Sequence, residues 1–154
     1  MQNIDLLVSS SYVRAVATAK YIASENNIEI NVDERLNERK LGDLNTLKEL
    51  GKDKKNSFTV EQLLDEHFKN KDGESRKEVS KRMNEFLDEI LKGEKNKIAI
   101  VSHGAAIKFL LMNWCKLNNE NELQYKNSII TINSPGIIKL VFDNNGLINL
   151  KQIV

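Results

Sequence analysis

A chain of 154 residues, 40% hydrophobic and 29% charged, is long enough to bury a core without disulfide or metal staples and short enough to form one domain over 1–154. Its 23 basic and 22 acidic residues are mixed along the sequence and leave a net charge of +1, which excludes the broad cationic footprint of a nucleic-acid or anionic-membrane binder. No apolar run approaches the roughly twenty residues that cross a bilayer, and the one cysteine, Cys115, stands in an apolar helical stretch where it packs rather than reacts. With no basic segment and apolar core at the start of the sequence, the expectation is a cytoplasmic protein.

In chain order, the apolar run Ile4–Val8 that turns into Ser9-Ser10-Ser11 predicts a strand and loop, and the spacing from Tyr12 to Ser24 predicts a helix. A short strand is expected at Ile28–Val32, then an irregular or briefly helical stretch from Asp33 to Leu50 with breaks at Gly42 and Gly51. Helices follow at Val60–Phe68, where His67 reads as structural, and at Arg76–Leu91, where Ser75 caps and Val79, Met83, Phe86, Leu87 and Ile90 share a face. Lys97–Val101 reads as a strand and Ala105–Leu117 as a helix. Gly136–Phe142 and Leu147–Val154 read as a hairpin turned at Asp143-Asn144-Asn145-Gly146. Alternating strands and helices predict the α/β class.

Two strand-to-helix junctions carry the chemistry. His103, in Ser102-His103-Gly104, sits at the carboxyl end of an apolar strand, where ligands bind in open α/β sheets and where the free amides of the next helix attract anions. Taken alone, it is as readily a hydrogen-bonded core histidine as a reactive one. Arg14 falls in the first turn of the helix after the serine-rich strand end, where a guanidinium can grip phosphate with two parallel bonds; alone, it reads as a solvated arginine. The pair favours a phosphate pocket over either bland reading.

Two further stretches, Asp33-Glu34-Arg35-Leu36-Asn37-Glu38-Arg39-Lys40-Leu41-Gly42 and Asp72-Gly73-Glu74-Ser75 ahead of a helix containing Arg82, complete a pattern. In order and spacing the four stretches resemble the histidine phosphatase superfamily, the branch of cofactor-dependent phosphoglycerate mutases and related phosphatases. The resemblance covers Ile4 to about Leu117. It rests on Ser9, Ser10, Arg14, Ala15, Thr18 and Ala19, on Leu36, Glu38 and Gly42, on Gly73-Glu74-Ser75, and on Ser102-His103-Gly104. It implies a phosphoglycerate mutase-like three-layer α/β/α sandwich. Arg14, His103 and Gly104 would bind the phosphoryl group, Glu38 would be the general acid, and neither metal nor cofactor would be needed.

The sequence departs from that pattern in three places. Ser11 and Tyr12 replace a usual proline and leucine, and Thr46 stands where a second glycine is common. More seriously, the family's Arg-His-Gly, whose histidine becomes phosphorylated, is missing. The resemblance therefore implies a domain incomplete at its N-terminus, without the first strand and helix, and inactive alone. In the family that strand lies beside the Ser-His-Gly strand, so an open apolar sheet edge is expected. Three readings follow: a piece of a phosphatase or mutase, a non-catalytic protein that binds a phosphorylated small molecule, inorganic phosphate or a partner, and a homodimer paired through the open edge. The loop from Asp33 to Phe58 would help to choose between mutase and phosphatase.

Overall fold

The computed structural model describes residues 1–43 and 60–154. The expected break at Gly51, the departure at Thr46 and most of the loop to Phe58 lie outside the described residues. The chain divides into two compact units, Met1–Ala106 and Ile107–Val154.

The first unit is built on a parallel sheet of three strands, β1 (Leu6–Ser9), β2 (Asn31–Val32) and β3 (Ile98–Val101), in the order β2-β1-β3. Leu7 faces Ala99 and Val8 faces Ile100 across the β1–β3 register. Because side chains alternate along a strand, Leu7 and Ala99 share one face, which Ala19 and Ile22 of helix α1 (Val13–Asn26) cover together with Ile4. The Asp5 carboxylate joins the entrances of the two strands by accepting from the Asn96 and Lys97 amides at 3.1 and 2.9 Å. Among the described residues β3 has one paired neighbour, and Ile100 on the opposite face is 37% exposed, an apolar side chain on an open edge.

A single 3₁₀ turn at Glu34–Leu36 follows β2. Asp33 caps it by accepting from the Arg35 amide at 2.9 Å, and the same carboxylate holds the Arg35 guanidinium, which also pairs with Glu89. Helix α2 (Val60–Leu64) is shorter than the expected Val60–Phe68, because the Asp65 side chain accepts from the His67 amide at 2.9 Å and turns the chain. His67 thus lies outside the helix, exposed beside Glu66. Helix α3 (Arg76–Lys92) begins with the capping box of Ser75 and Glu78, and buries Val79, Met83, Phe86 and Leu87 as the spacing predicts. Gly42 has φ +81°, and a Cβ there would lie 2.6 Å from the Gly73 amide nitrogen, so only glycine lets these two loops meet.

Helix α4 spans Gly104–Leu111, not Ala105–Leu117. The apolar spacing continues to Trp114, but the Asn113 and Trp114 amides tighten onto the Leu110 and Leu111 carbonyls, and the chain leaves as strand β4 (Lys116–Leu117). In the second unit β4 pairs with β5 (Leu123–Tyr125) and β5 with β6 (Ser128–Ile130), two strands too short for their alternation to show in sequence. β7 (Ile138–Asp143) and β8 (Gly146–Gln152) form the expected hairpin, with Gly146 at φ +124° in its turn. Cys115 is buried among Leu111, Leu123, Ile130 and Leu150, a packing position as its sequence context indicates.

Candidate functional site

The carboxyl ends of β1 and β3 lie side by side, since Ser9 is in register with Val101, so the residues that follow each strand emerge together. Ser10 is fully buried there, and His103 is 8% exposed. Ser10 Oγ lies 2.7 Å from His103 Nε2 and accepts from the Tyr12 amide at 3.3 Å. With Nε2 engaged, Nδ1 is the ring nitrogen left for a ligand. The Tyr12 and His103 ring centroids are 5.0 Å apart, and the Arg14 guanidinium stands over the Tyr12 ring at 5.2 Å. A pocket lined by Ser11, Tyr12, Val13 and Arg14 opens at this start of α1.

Burial is the main force on His103 and pushes its ionisation below the ordinary 6.5, helped by Arg14 and Arg82 and opposed by Glu38. The imidazole is therefore neutral at pH 7, a hydrogen-bond donor or acceptor rather than a fixed charge.

Glu38 arrives from the loop after the 3₁₀ turn and lands on the start of α4. Its Oε1 accepts from the Ala106 amide at 2.9 Å and from the Arg39 amide at 2.9 Å, and its Oε2 accepts from Ala105 at 3.2 Å. The helix amides that the sequence offers to a phosphate are thus held by a carboxylate of the same chain. Gly104 itself is exposed, with open space where a Cβ would stand, so close packing does not demand glycine there.

Four side chains hold this loop in place. Arg82 grips the Glu74 carboxylate with Nε and Nη2, both at 2.9 Å, and donates to the Arg35 carbonyl at 2.7 Å and the Glu38 carbonyl at 3.3 Å. Glu74 Oε1 also accepts from the Lys40 amide at 3.0 Å. Buried Arg39 reaches the Glu74 and Phe68 carbonyls at 2.9 and 3.0 Å. Ser102 Oγ donates to the Leu36 carbonyl at 2.7 Å. Structure therefore brings Arg14, Glu38 and His103 to one end of the sheet and leaves His67 exposed elsewhere. Sequence reading gave Ser10, Tyr12 and Arg82 no role; the serine run after an apolar strand was the only signal for Ser10. Among the described residues no His, Cys, Asp and Glu group could hold a metal, and no helix is long and apolar enough to cross a membrane.

The sequence profile of the histidine phosphatase superfamily (branch 1) matches residues 1–146. A mycobacterial glucosyl-3-phosphoglycerate phosphatase in complex with VO3 superposes with a TM-score of 0.63 at 20% identity, over 99% of this chain and 76% of that one. YhfR of Bacillus stearothermophilus gives 0.61 at 21% identity, over 94% and 71%, and the alpha-ribazole phosphatase of Shigella flexneri gives 0.54 at 18%, over 82% and 74%. At these identities the likeness is one of fold. No curated protein matches the chain.

Proposed function

The chain belongs to branch 1 of the histidine phosphatase superfamily, and on that premise we propose that it binds the phosphoryl group of a small phosphomonoester, or inorganic phosphate, between Arg14 and His103 without turning esters over by itself. The observation that carries this reading is Arg14 in the first turn of α1, a helix with no side-chain cap and no acidic residue in that turn. A cation there stands at the end where the helix dipole already places partial positive charge, so a dianion relieves both. In the tautomer whose Nε2 accepts from the Ser10 hydroxyl, His103 adds a neutral donor through Nδ1, and phosphate bound beside it would raise its ionisation.

In phosphoryl transfer Arg14, His103 and the Gly104 amide would stabilise the charge on the equatorial oxygens, and Glu38, released from the α4 amides and protonated from solvent, would pass that proton to the leaving oxygen. The attacking group is what this chain does not supply: its two histidines are His67, exposed beside Glu66, and His103, and neither follows an arginine in an Arg-His-Gly. Hydrolysis through the phosphohistidine of an Arg-His-Gly would therefore need a histidine from outside the 154 residues. The vanadate and phosphate complexes of the mycobacterial phosphatase support a phosphate-shaped ligand. The open edge of β3, with Ile100 exposed, supports pairing there with a further strand, and a second copy of the chain would make the homodimer.

Thermal melts in a phosphate titration test the binding. At about 100 times Kd, phosphate should stabilise the wild type by about 2.7 kcal/mol, and Arg14→Ala should show no such rise. Equal rises in both proteins would overturn the site. p-Nitrophenyl phosphate should be hydrolysed no faster than in buffer; turnover that His103→Ala abolishes would overturn the inactivity. A monomer by light scattering on the same sample would remove the homodimer.

A further inference from the structure

Position 12 breaks a local rule. It is the N-cap of α1, where serine, threonine, aspartate and asparagine are preferred, yet it carries an aromatic side chain that makes no capping bond. Violations of this kind, with no local gain, concentrate where a residue serves a site.

What Tyr12 does instead is touch three of the groups at the sheet end. Its ring lies 5.0 Å from the His103 ring, tilted by 54°; its face carries the Arg14 guanidinium at 5.2 Å; and its amide donates to Ser10 Oγ, the partner of His103 Nε2. We propose that Tyr12 is a positioning residue for anion binding, its ring in contact with both the Arg14 guanidinium and the His103 imidazole and holding the two beside a single phosphoryl group. The proposal rests on the reading that Arg14 and His103 bind phosphate.

Arginine is a long side chain with many rotamers, and gripping an anion costs that freedom. A guanidinium already stacked on an aromatic face has lost part of it beforehand. The ring also gives the cation an attractive surface that does not neutralise its charge, unlike a carboxylate partner, so the guanidinium stays available to an anion. His103 gains a fixed ring plane from the same contact. The charged groups facing His103 are Arg14 from α1, Arg82 from α3 and Glu38 from the loop after the 3₁₀ turn.

The test is inorganic phosphate binding to the full chain, followed by NMR at the His103 imidazole, with Tyr12→Phe, Tyr12→Leu and Arg14→Ala. Tyr12→Phe keeps the ring and should bind within about twofold of wild type. Tyr12→Leu keeps bulk but no π face and should bind about three- to tenfold more weakly while its circular dichroism and melting remain those of the wild type. In Tyr12→Leu the upward move of the His103 titration on adding phosphate should also shrink, which a purely structural role would leave unchanged. Wild-type affinity and an unreduced move in Tyr12→Leu would overturn the proposal and leave the phosphate site standing. No response of the wild type, or an equal response in Arg14→Ala, would overturn the site and the proposal together. A Tyr12→Phe as weak as Tyr12→Leu would overturn the role of the ring in favour of the hydroxyl.

Discussion

Arg82→Ala is expected to destabilise the fold by about 3 kcal/mol, because it removes one partner of a largely buried ion pair and leaves the other charged. The two side chains are 18% and 17% exposed, and the guanidinium meets Glu74 with two parallel bonds while its remaining donor capacity goes to the Arg35 and Glu38 carbonyls. Burial alone would push the Glu74 carboxyl up; the Arg82 bonds and the Lys40 amide outweigh it and hold the group below its ordinary 4.5. In the wild type, then, ionised Glu74 contributes stability that is present above about pH 4.5 and is lost as pH falls through its lower folded value. With Arg82 gone, burial prevails, the folded value rises above the unfolded one, and ionisation becomes a cost that protonation removes. The stability deficit of the variant should therefore narrow as pH falls from 7 to 4. Urea melts at the two pH values measure it, and Arg82→Lys, one point charge in place of a planar fork, should recover only part of the loss. A deficit under about 1 kcal/mol at pH 7, or one that does not narrow in acid, would show that the loop is held by something else.

That clamp marks the limit of what the sequence makes legible. Arg14 and His103 are legible as a pair because each lies within a few residues of an apolar strand end, and parallel pairing of β1 with β3 then brings them together, while the bond from Ser10 to His103 shows only in the fold. Glu38 was legible as a motif residue, but its seat on the Ala105 and Ala106 amides joins positions 67 and 68 residues apart, and no local pattern encodes a meeting at that range. The same holds for Arg82, whose position on a helix reads as one more exposed charge until its partners Glu74, Arg35 and Glu38 are in place. Helix α4 is shorter than its apolar spacing suggests for a different reason: Met112 and Trp114 keep that spacing past Leu111, although the Asn113 and Trp114 amides already bond three residues back instead of four. Strands β5 and β6, three residues each, offer too few positions for alternation to register.

Leu36→Ala should cost about 3 kcal/mol, as truncation of a fully buried leucine does when the surroundings only partly collapse, and should lower the melting temperature by roughly 6–12 °C. Leu36 is 0% exposed, ends the 3₁₀ turn that packs against α3, and accepts the Ser102 hydroxyl on its carbonyl, one residue ahead of His103 and two ahead of Glu38 along the loop. Its buried side chain anchors the loop two residues before Glu38, whose carboxylate then meets the Ala105 and Ala106 amides. Glu38→Ala, which removes the cap but keeps the anchor, should cost about 1 kcal/mol. Leu36→Met, which preserves volume, should cost less than about 1.5 kcal/mol. Stability measured by urea unfolding for the three variants separates the contributions: Leu36→Ala costing clearly more than Glu38→Ala is the expected order. The reverse order would mean that the carboxylate on the helix amides, rather than the buried leucine beneath it, holds the loop against the end of the sheet.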